Sequence, residues 1–289
     1  MAEQFHRVGA VELCYESLGD PADPAVLLVM GLGLQMVWWR DEFCAELVDR
    51  GFRVIRFDNR DVGRSTKLPG PGVTAMQFLR RRPNPSYSLG EMADDAAGLV
   101  AELAPAGAHL VGVSLGSFIA QEIAIRQPGR ALSLTSIMGR PGDGRSGRVA
   151  RRMLLEFLRP APVDANRAVE HMVATFRRIG SLDRTEIDDE DVRLAVRRSA
   201  ARGTDVGSDR QLAAILAERD RTAALGSLEI PALVIHGMRD RIVLPSGGRA
   251  TAAAIPGAEL LEIERMGHDL PRWVWPQVID GIERTARRA

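Results

Sequence analysis

Over its first 140 residues the chain alternates short apolar runs with amphipathic stretches. Ala25-Val-Leu-Leu-Val-Met30 is continuously apolar, as a strand covered on both faces must be. Val11–Leu18, closed by Gly19-Asp20-Pro21, predicts an edge strand, and 54–58, 109–113 and 132–138 predict three more. Helical spacing over 37–50 stops at Gly51. Ser88-x-x-Glu91 matches a capping box and opens a helix that runs to Leu103. A further helix over 115–127 ends at Pro128-Gly129. Strand alternating with helix in this way predicts an α/β fold with a parallel sheet and right-handed crossovers.

The pattern then changes. Residues 140–225 hold no convincing strand but four helical segments, near 145–159, 165–180, 188–202 and 208–225. Pro160, Pro162, Gly180 and Gly203 punctuate them. Alternation resumes with a strand at 232–236, a helix near 246–255, a strand at 260–263 and a closing helix. The expected organisation is one α/β core, 1–139 and 226–289, interrupted by a helical excursion over 140–225.

Composition narrows the function classes. With 45% hydrophobic residues in 289, the chain has enough apolar mass for a real core. Lys+Arg and Asp+Glu are both 38, so no global charge draws it to nucleic acid or anionic lipid. Lys67 is the only lysine, and the arginines are spread among acids. Cys14 and Cys44 cannot build a disulfide framework and read as buried thiols. The N-terminal stretch has no signal-peptide pattern, and no apolar segment approaches the ~20 residues needed to cross a bilayer. A cytoplasmic monomer or homodimer is expected. There is no HExxH and no zinc-spaced cysteine pair, so neither metal nor cofactor is expected.

The most informative stretch is Gly112-x-Ser114-x-Gly116, which follows one apolar strand and opens a helix. A sharp strand-to-helix turn crowds its own backbone, so small residues are needed two before and two after the serine. A serine hydroxyl needs an adjacent base, and the base needs an orienting acid. Of five histidines, His6 lies near the start, His109 and His236 lie at strand ends, and His171 lies in the helical block. His268, in Met266-Gly267-His268-Asp269, leaves the last strand on the edge predicted for Ser114. Asp240, after strand 232–236, is the expected acid, with Asp143 as runner-up; Asp269 is too close to His268 along the chain to orient its ring easily. The expected oxyanion donors are the N–H groups of Leu115 and of Leu32, the latter in the glycine-rich loop Met30-Gly31-Leu32-Gly33.

Taken with Pro21–Ala25, Asp58-x-Arg60-Asp61-x-Gly63-x-Ser65 and Met266–Pro271, these residues make the chain resemble the α/β-hydrolase superfamily over nearly its full length. Within it the chain is similar to esterases of the aclacinomycin methylesterase type. The resemblance implies an eight-stranded, mostly parallel sheet with a helical cap inserted between strands six and seven. It also implies the triad Ser114, Asp240 and His268. Two positions depart from the commonest pattern: Met30-Gly31 stands where many members have His-Gly, and Leu32 stands where relatives often have Gly or Phe.

The expected activity is that of a serine carboxylesterase acting on a small-molecule ester. Lactonase, thioesterase and carbon–carbon hydrolase chemistry share the triad and stay open, as does a non-catalytic ligand receptor on the same fold. The expected pocket comprises Gly31, Leu34, Met36, Trp38, Trp39, Met138, Leu154, Phe157 and Met172.

Overall fold

The computed structural model describes residues 2–80, 83–150, 153, 164–203 and 207–289. Its sheet has eight strands: β1 Gln4–Val8, β2 Val11–Leu18, β3 Ala25–Val29, β4 Arg53–Phe57, β5 Ala108–Val113, β6 Ala131–Ile137, β7 Ala232–Gly237 and β8 Glu259–Ile263. They lie in the order β1-β2-β4-β3-β5-β6-β7-β8. The β1–β2 and β2–β4 pairs are antiparallel, and the other pairs are parallel.

Alternation explains the continuous apolar runs. Leu27 and Val29 of β3 face one core cluster, while Val26 and Leu28 face another. The first cluster is closed by α3 Leu89–Leu103 and α4 Leu115–Arg126, which contribute Met92, Leu99, Phe118 and Ile119. The second is closed by α1 Asp41–Asp49 and α10 Trp275–Ala286, through Phe43, Leu47, Trp275 and Ile279. A strand buried on both faces has no position left for a polar side chain without a partner. The capping box forms as expected: Ser88 Oγ accepts from Glu91 N, and Ser88 N donates to the Glu91 carboxylate.

Four expectations need correction: the one helical segment expected over 208–225 is two, broken at 217–221, and three others follow. β2 is not an edge strand, because β1 pairs with its Val11–Tyr15 part and places His6 opposite Leu13. The helix expected over 37–50 begins four residues later as α1, since a short 3-10 turn at Met36–Trp38 comes first. Residues 145–150 form no helix; Gly144 and Gly147 adopt φ +66° and +62°, and Asp143 caps a local turn by accepting from Ser146 N. The rest of that expected segment, apart from Met153, lies outside the described residues, as do Leu154 and Phe157.

Between β6 and β7 stand α5 Ala165–Ile179, α6 Glu186–Arg202, α7 Ser208–Leu216 and α8 Thr222–Leu225. α2 is Ala75–Arg80, outside the elements that the hydrophobic pattern predicts, and α9 is Ser246–Ala254. Cys14 and Cys44 are free and buried, and burial pushes both thiols up to about 12. Among the described residues no helix is long and apolar enough to cross a membrane.

His109 is buried in β5, with Nδ1 3.0 Å from Ser133 Oγ and its ring edge-on to Phe52. Burial pushes its pKa down from 6.5 to about 4. The unfolded chain therefore takes up a proton that the folded one refuses, and stability is lost as pH falls from 6.5 towards 4. His109→Leu is expected to flatten the dependence of urea-unfolding free energy on pH across that window. An undiminished slope would refute this assignment.

Candidate active site

The five parallel strand ends that matter converge on one sheet edge. β5 delivers Ser114, β7 leads to Asp240, β8 leads to His268, and the loop after β3 carries Met30–Gly33. β6 ends beside them at Ile137, followed by Met138. Loops leaving the carboxyl ends of parallel strands gather in just this way.

Ser114 caps α4 with φ 54° and ψ −120°, a backbone conformation rarely adopted by a residue with a side chain. Its neighbours show why glycine flanks it. A Cβ on Gly112 would lie 2.1 Å from Gly116 O, and one on Gly116 would lie 2.0 Å from Val29 O. The turn is sharp because backbone packs directly on backbone at both positions. Its consequence is a hydroxyl raised clear of the sheet and only partly covered.

His268 Nε2 lies 3.0 Å from Ser114 Oγ, and His268 Nδ1 lies 2.7 Å from Asp240 Oδ2. Asp240 is fully enclosed. Its Oδ1 accepts from Ile242 N and Val243 N, so the carboxylate is fixed by its own loop. Burial alone would raise its pKa; the charge of His268 and hydrogen bonds from His236 and His268 outweigh that and bring it to about 2. Its contribution to stability is thus present above the ordinary 3.8 and lost only as pH falls towards 2. His236 Nε2, 3.5 Å from the same Oδ2, donates to Val243 O at 2.8 Å and ties the acid's loop to β7. The two other carboxylates weighed from sequence go elsewhere. Asp143 serves its own turn, and Asp269 binds Ser181 and Arg184.

Gly31 passes so close to Ser114 that a Cβ there would lie 3.4 Å from Ser114 Cβ. Leu32 follows it, and Leu115, the first residue of α4, has no intrahelical acceptor for its N–H. The loop is held from both sides. Asn59 Nδ2 donates to Met30 O, Asp58 Oδ1 accepts from Met36 N at 2.7 Å, and Gln211 of α7 accepts from Gly33 N at 2.9 Å. The Asp58–Ser65 motif is therefore a brace for this loop: Ser65 Oγ donates to Asp58 O and accepts from Cys14 N.

This chain belongs to the α/β-hydrolase fold family. A family profile described as alpha/beta hydrolase fold matches residues 24–271. The chain is 31% identical to rhodomycin D methylesterase DauP of Streptomyces sp. (strain C5) over 284 residues, covering 90% of each protein. It is 32% identical to rhodomycin D methylesterase DnrP of Streptomyces peucetius, again over 90% of both. Among solved structures it is similar to a thermophilic esterase from Thermogutta terrifontis, at TM-score 0.71 and 26% identity, with 100% of this chain and 99% of that one covered.

The hydrolase's cavity, about 350 Å³, opens onto Ser114 and His268. Of the expected pocket residues, Gly31, Leu34, Trp38, Trp39, Met138 and Met172 line it. Met36 does not. It is fully buried against Cys14 and Val37: with three residues per turn in the 3-10 segment, Met36 and Trp38 point to different sides, and it is Trp38 that reaches the cavity. α5 adds Phe176 and Ile179, which share a face with Met172 at helical spacing; Phe176 stacks on Trp38 with ring centres 5.2 Å apart. That spacing was visible in the sequence, whereas the partner of the face was not.

The α5–α6 connection also clasps the histidine loop. His268 N donates to Ile179 O at 2.8 Å, and Gly267 N donates to Ser181 Oγ at 3.0 Å. Ser181 Oγ in turn donates to Asp269 Oδ1 at 2.6 Å, and Arg184 pairs with Asp269 Oδ2. Ser181, Arg184 and Gln211 carried no sequence signal, since each acts through a partner more than 80 residues away. Among the described residues no group of three or more His, Cys, Asp or Glu is placed to hold a metal ion.

Proposed function

We propose that this hydrolase cleaves carboxylic esters of small alcohols, methyl esters foremost, through a serine acyl-enzyme. The observation that carries the reading is the unbroken relay from Ser114 Oγ through His268 to Asp240, with spacings of 3.0 and 2.7 Å. The rhodomycin D methylesterases among its relatives support the choice of a methyl ester.

Ser114 Oγ attacks the ester carbonyl as His268 Nε2 takes its proton. The oxyanion settles against the N–H groups of Leu32 and Leu115, fixed donors worth roughly 3 kcal/mol or more each at such sites. His268 then gives the proton to the departing alkoxide, leaving an acyl-serine. Water, deprotonated by the same imidazole, attacks the acyl carbon, and Ser114 recovers its proton as the acid departs. Asp240 stays ionised throughout, orienting the ring and balancing its transient charge. Helices α5–α8 serve as a cap: α5 and α6 enclose the acyl portion, α7 steadies the oxyanion loop, and the α5–α6 connection steadies the base.

A fluorophosphonate probe is expected to form one covalent adduct, located at Ser114 by peptide mass spectrometry, at a rate that falls when His268 is replaced by alanine. Absence of an adduct at Ser114 would leave the fold with a ligand-receptor role instead.

A further inference from the structure

His268 hangs from the cap as well as from the core. The N–H groups of Gly267 and His268 both donate into the α5–α6 connection, to Ser181 Oγ at 3.0 Å and to Ile179 O at 2.8 Å. Leu182 N donates back to Arg265 O at 3.0 Å. From the core, Asp240 meets the ring, and Arg239 N donates to Met266 O at 2.9 Å. Nothing cushions the contact with the cap. A Cβ on Gly267 would lie 2.2 Å from Gly180 C, and one on Gly180 would lie 2.5 Å from Asp269 Oδ2. Backbone rests on backbone at Gly267, so a shift of one segment is passed to the other.

Ile179 does two things at once. Its carbonyl holds His268, and it closes a row, Met172, Thr175, Phe176 and Ile179, that lines the cavity along one face of α5. None of the four is fully buried, so each keeps surface for an occupant to cover. α5 packs on α6 rather than on the sheet. Its last turn is therefore placed by the histidine loop at its end and by whatever fills the cavity along its face. Contacts with a part of the substrate far from the reacting bond raise turnover when they are spent on orienting a catalytic group.

We propose that the acyl chain of the substrate positions His268 through α5, with Ile179 and Ser181 as positioning residues. An apolar chain lying against Met172, Phe176 and Ile179 fixes the last turn of α5; that turn fixes Ile179 O, and Ile179 O fixes the backbone at His268. The inference rests on the ester-hydrolase reading and adds a substrate class to it. Esters of acids whose apolar chain reaches from the scissile carbonyl to α5 are turned over faster, not merely held more tightly. Short acyl groups leave α5 unsupported and the base less well aimed.

The test measures kcat and KM for methyl esters of straight-chain acids, from acetate to decanoate, on wild type and Ser181→Ala. That variant loses the hydroxyl standing between Gly267 N and Asp269 Oδ1. The quantity read is kcat for the best ester over kcat for methyl acetate within one protein, so partial loss of fold cancels. Wild type is expected to show a rise of roughly tenfold or more, and Ser181→Ala a rise of about threefold or less. A wild-type kcat that stays flat while KM alone falls, or an equal rise in the variant, overturns the proposal. A second measurement needs no turnover. Methyl nonyl ketone, which cannot be hydrolysed, is titrated calorimetrically, and hydrogen exchange at the amides of 265–269 is followed at saturation. Exchange is expected to slow by about tenfold in wild type and by about threefold or less in Ser181→Ala. If wild type cleaves none of the esters, the esterase reading fails and exchange still decides the coupling: slowing supports it, while unchanged exchange, or a ketone that does not bind, overturns it.

Discussion

Ser114→Ala is expected to lower methyl-ester turnover by roughly 10⁴-fold or more, about 5 kcal/mol of barrier. In the proposed mechanism the hydroxyl makes the new bond, and no other nucleophile stands 3.0 Å from His268 Nε2 among the described residues. His268→Ala is expected to cost about as much. The double variant should be no worse than either single one, because base and nucleophile act in one step and removing one idles the other. Multiplying losses would mean that the two groups act separately, and the relay would have to be abandoned. Stability separates this from misfolding. The backbone at 114 holds φ 54° and ψ −120°, which alanine suffers as serine does but glycine does not. Ser114→Gly is therefore expected to be as inactive as Ser114→Ala yet more stable, by about 1 kcal/mol in urea unfolding. An inactive variant with raised stability shows that catalysis and folding make opposite demands on this position.

Gly116→Ala is expected to destabilise the protein by about 3 kcal/mol or more and to abolish turnover. The added methyl would sit 2.0 Å from Val29 O and 2.9 Å from Met30 O, and neither backbone atom has a rotamer by which to retreat. Relief must come by parting α4 from the end of β3. That movement draws Leu115 away from Leu32 and opens the gap between the two oxyanion donors. Gly129→Ala provides the control: a Cβ there meets nothing within 4 Å, and its effect is expected to stay within about 0.5 kcal/mol. Urea midpoints of the two variants make the comparison. Wild-type stability in Gly116→Ala would show that the turn is looser than its contacts imply.

Much of this site was legible along the chain because the constraints are local. Gly112 is needed by a turn made of its own neighbours, and Ser88 and Glu91, three residues apart, close a helix end; Gly116, by contrast, is required by Val29 at the end of β3. The sheet edge was legible too, since a strand followed by a loop must release that loop at its carboxyl end. Ser114, Asp240 and His268 thus fall on one rim.

The helices between β6 and β7 are where local reasoning stopped. Charged α6 reads as a solvated helix, yet Asp188 and Asp189 are buried, paired with Thr185, Arg177 and Arg184. Met36 is as apolar as Trp38, but on a 3-10 turn the two point to different sides, and only the packed structure shows which of them meets the core and which the cavity.

The sequence by itself determined the sheet, the sharp turn and the order of Ser114, Asp240 and His268 along it, because hydrophobic period and steric crowding act within a few residues. Tertiary structure alone decided which helix face closes the cavity and that Gln211 and Ser181 hold the loops of the site. Those outcomes depend on partners distant in the chain, and an amphipathic face or a lone arginine specifies that it needs a partner without specifying which one.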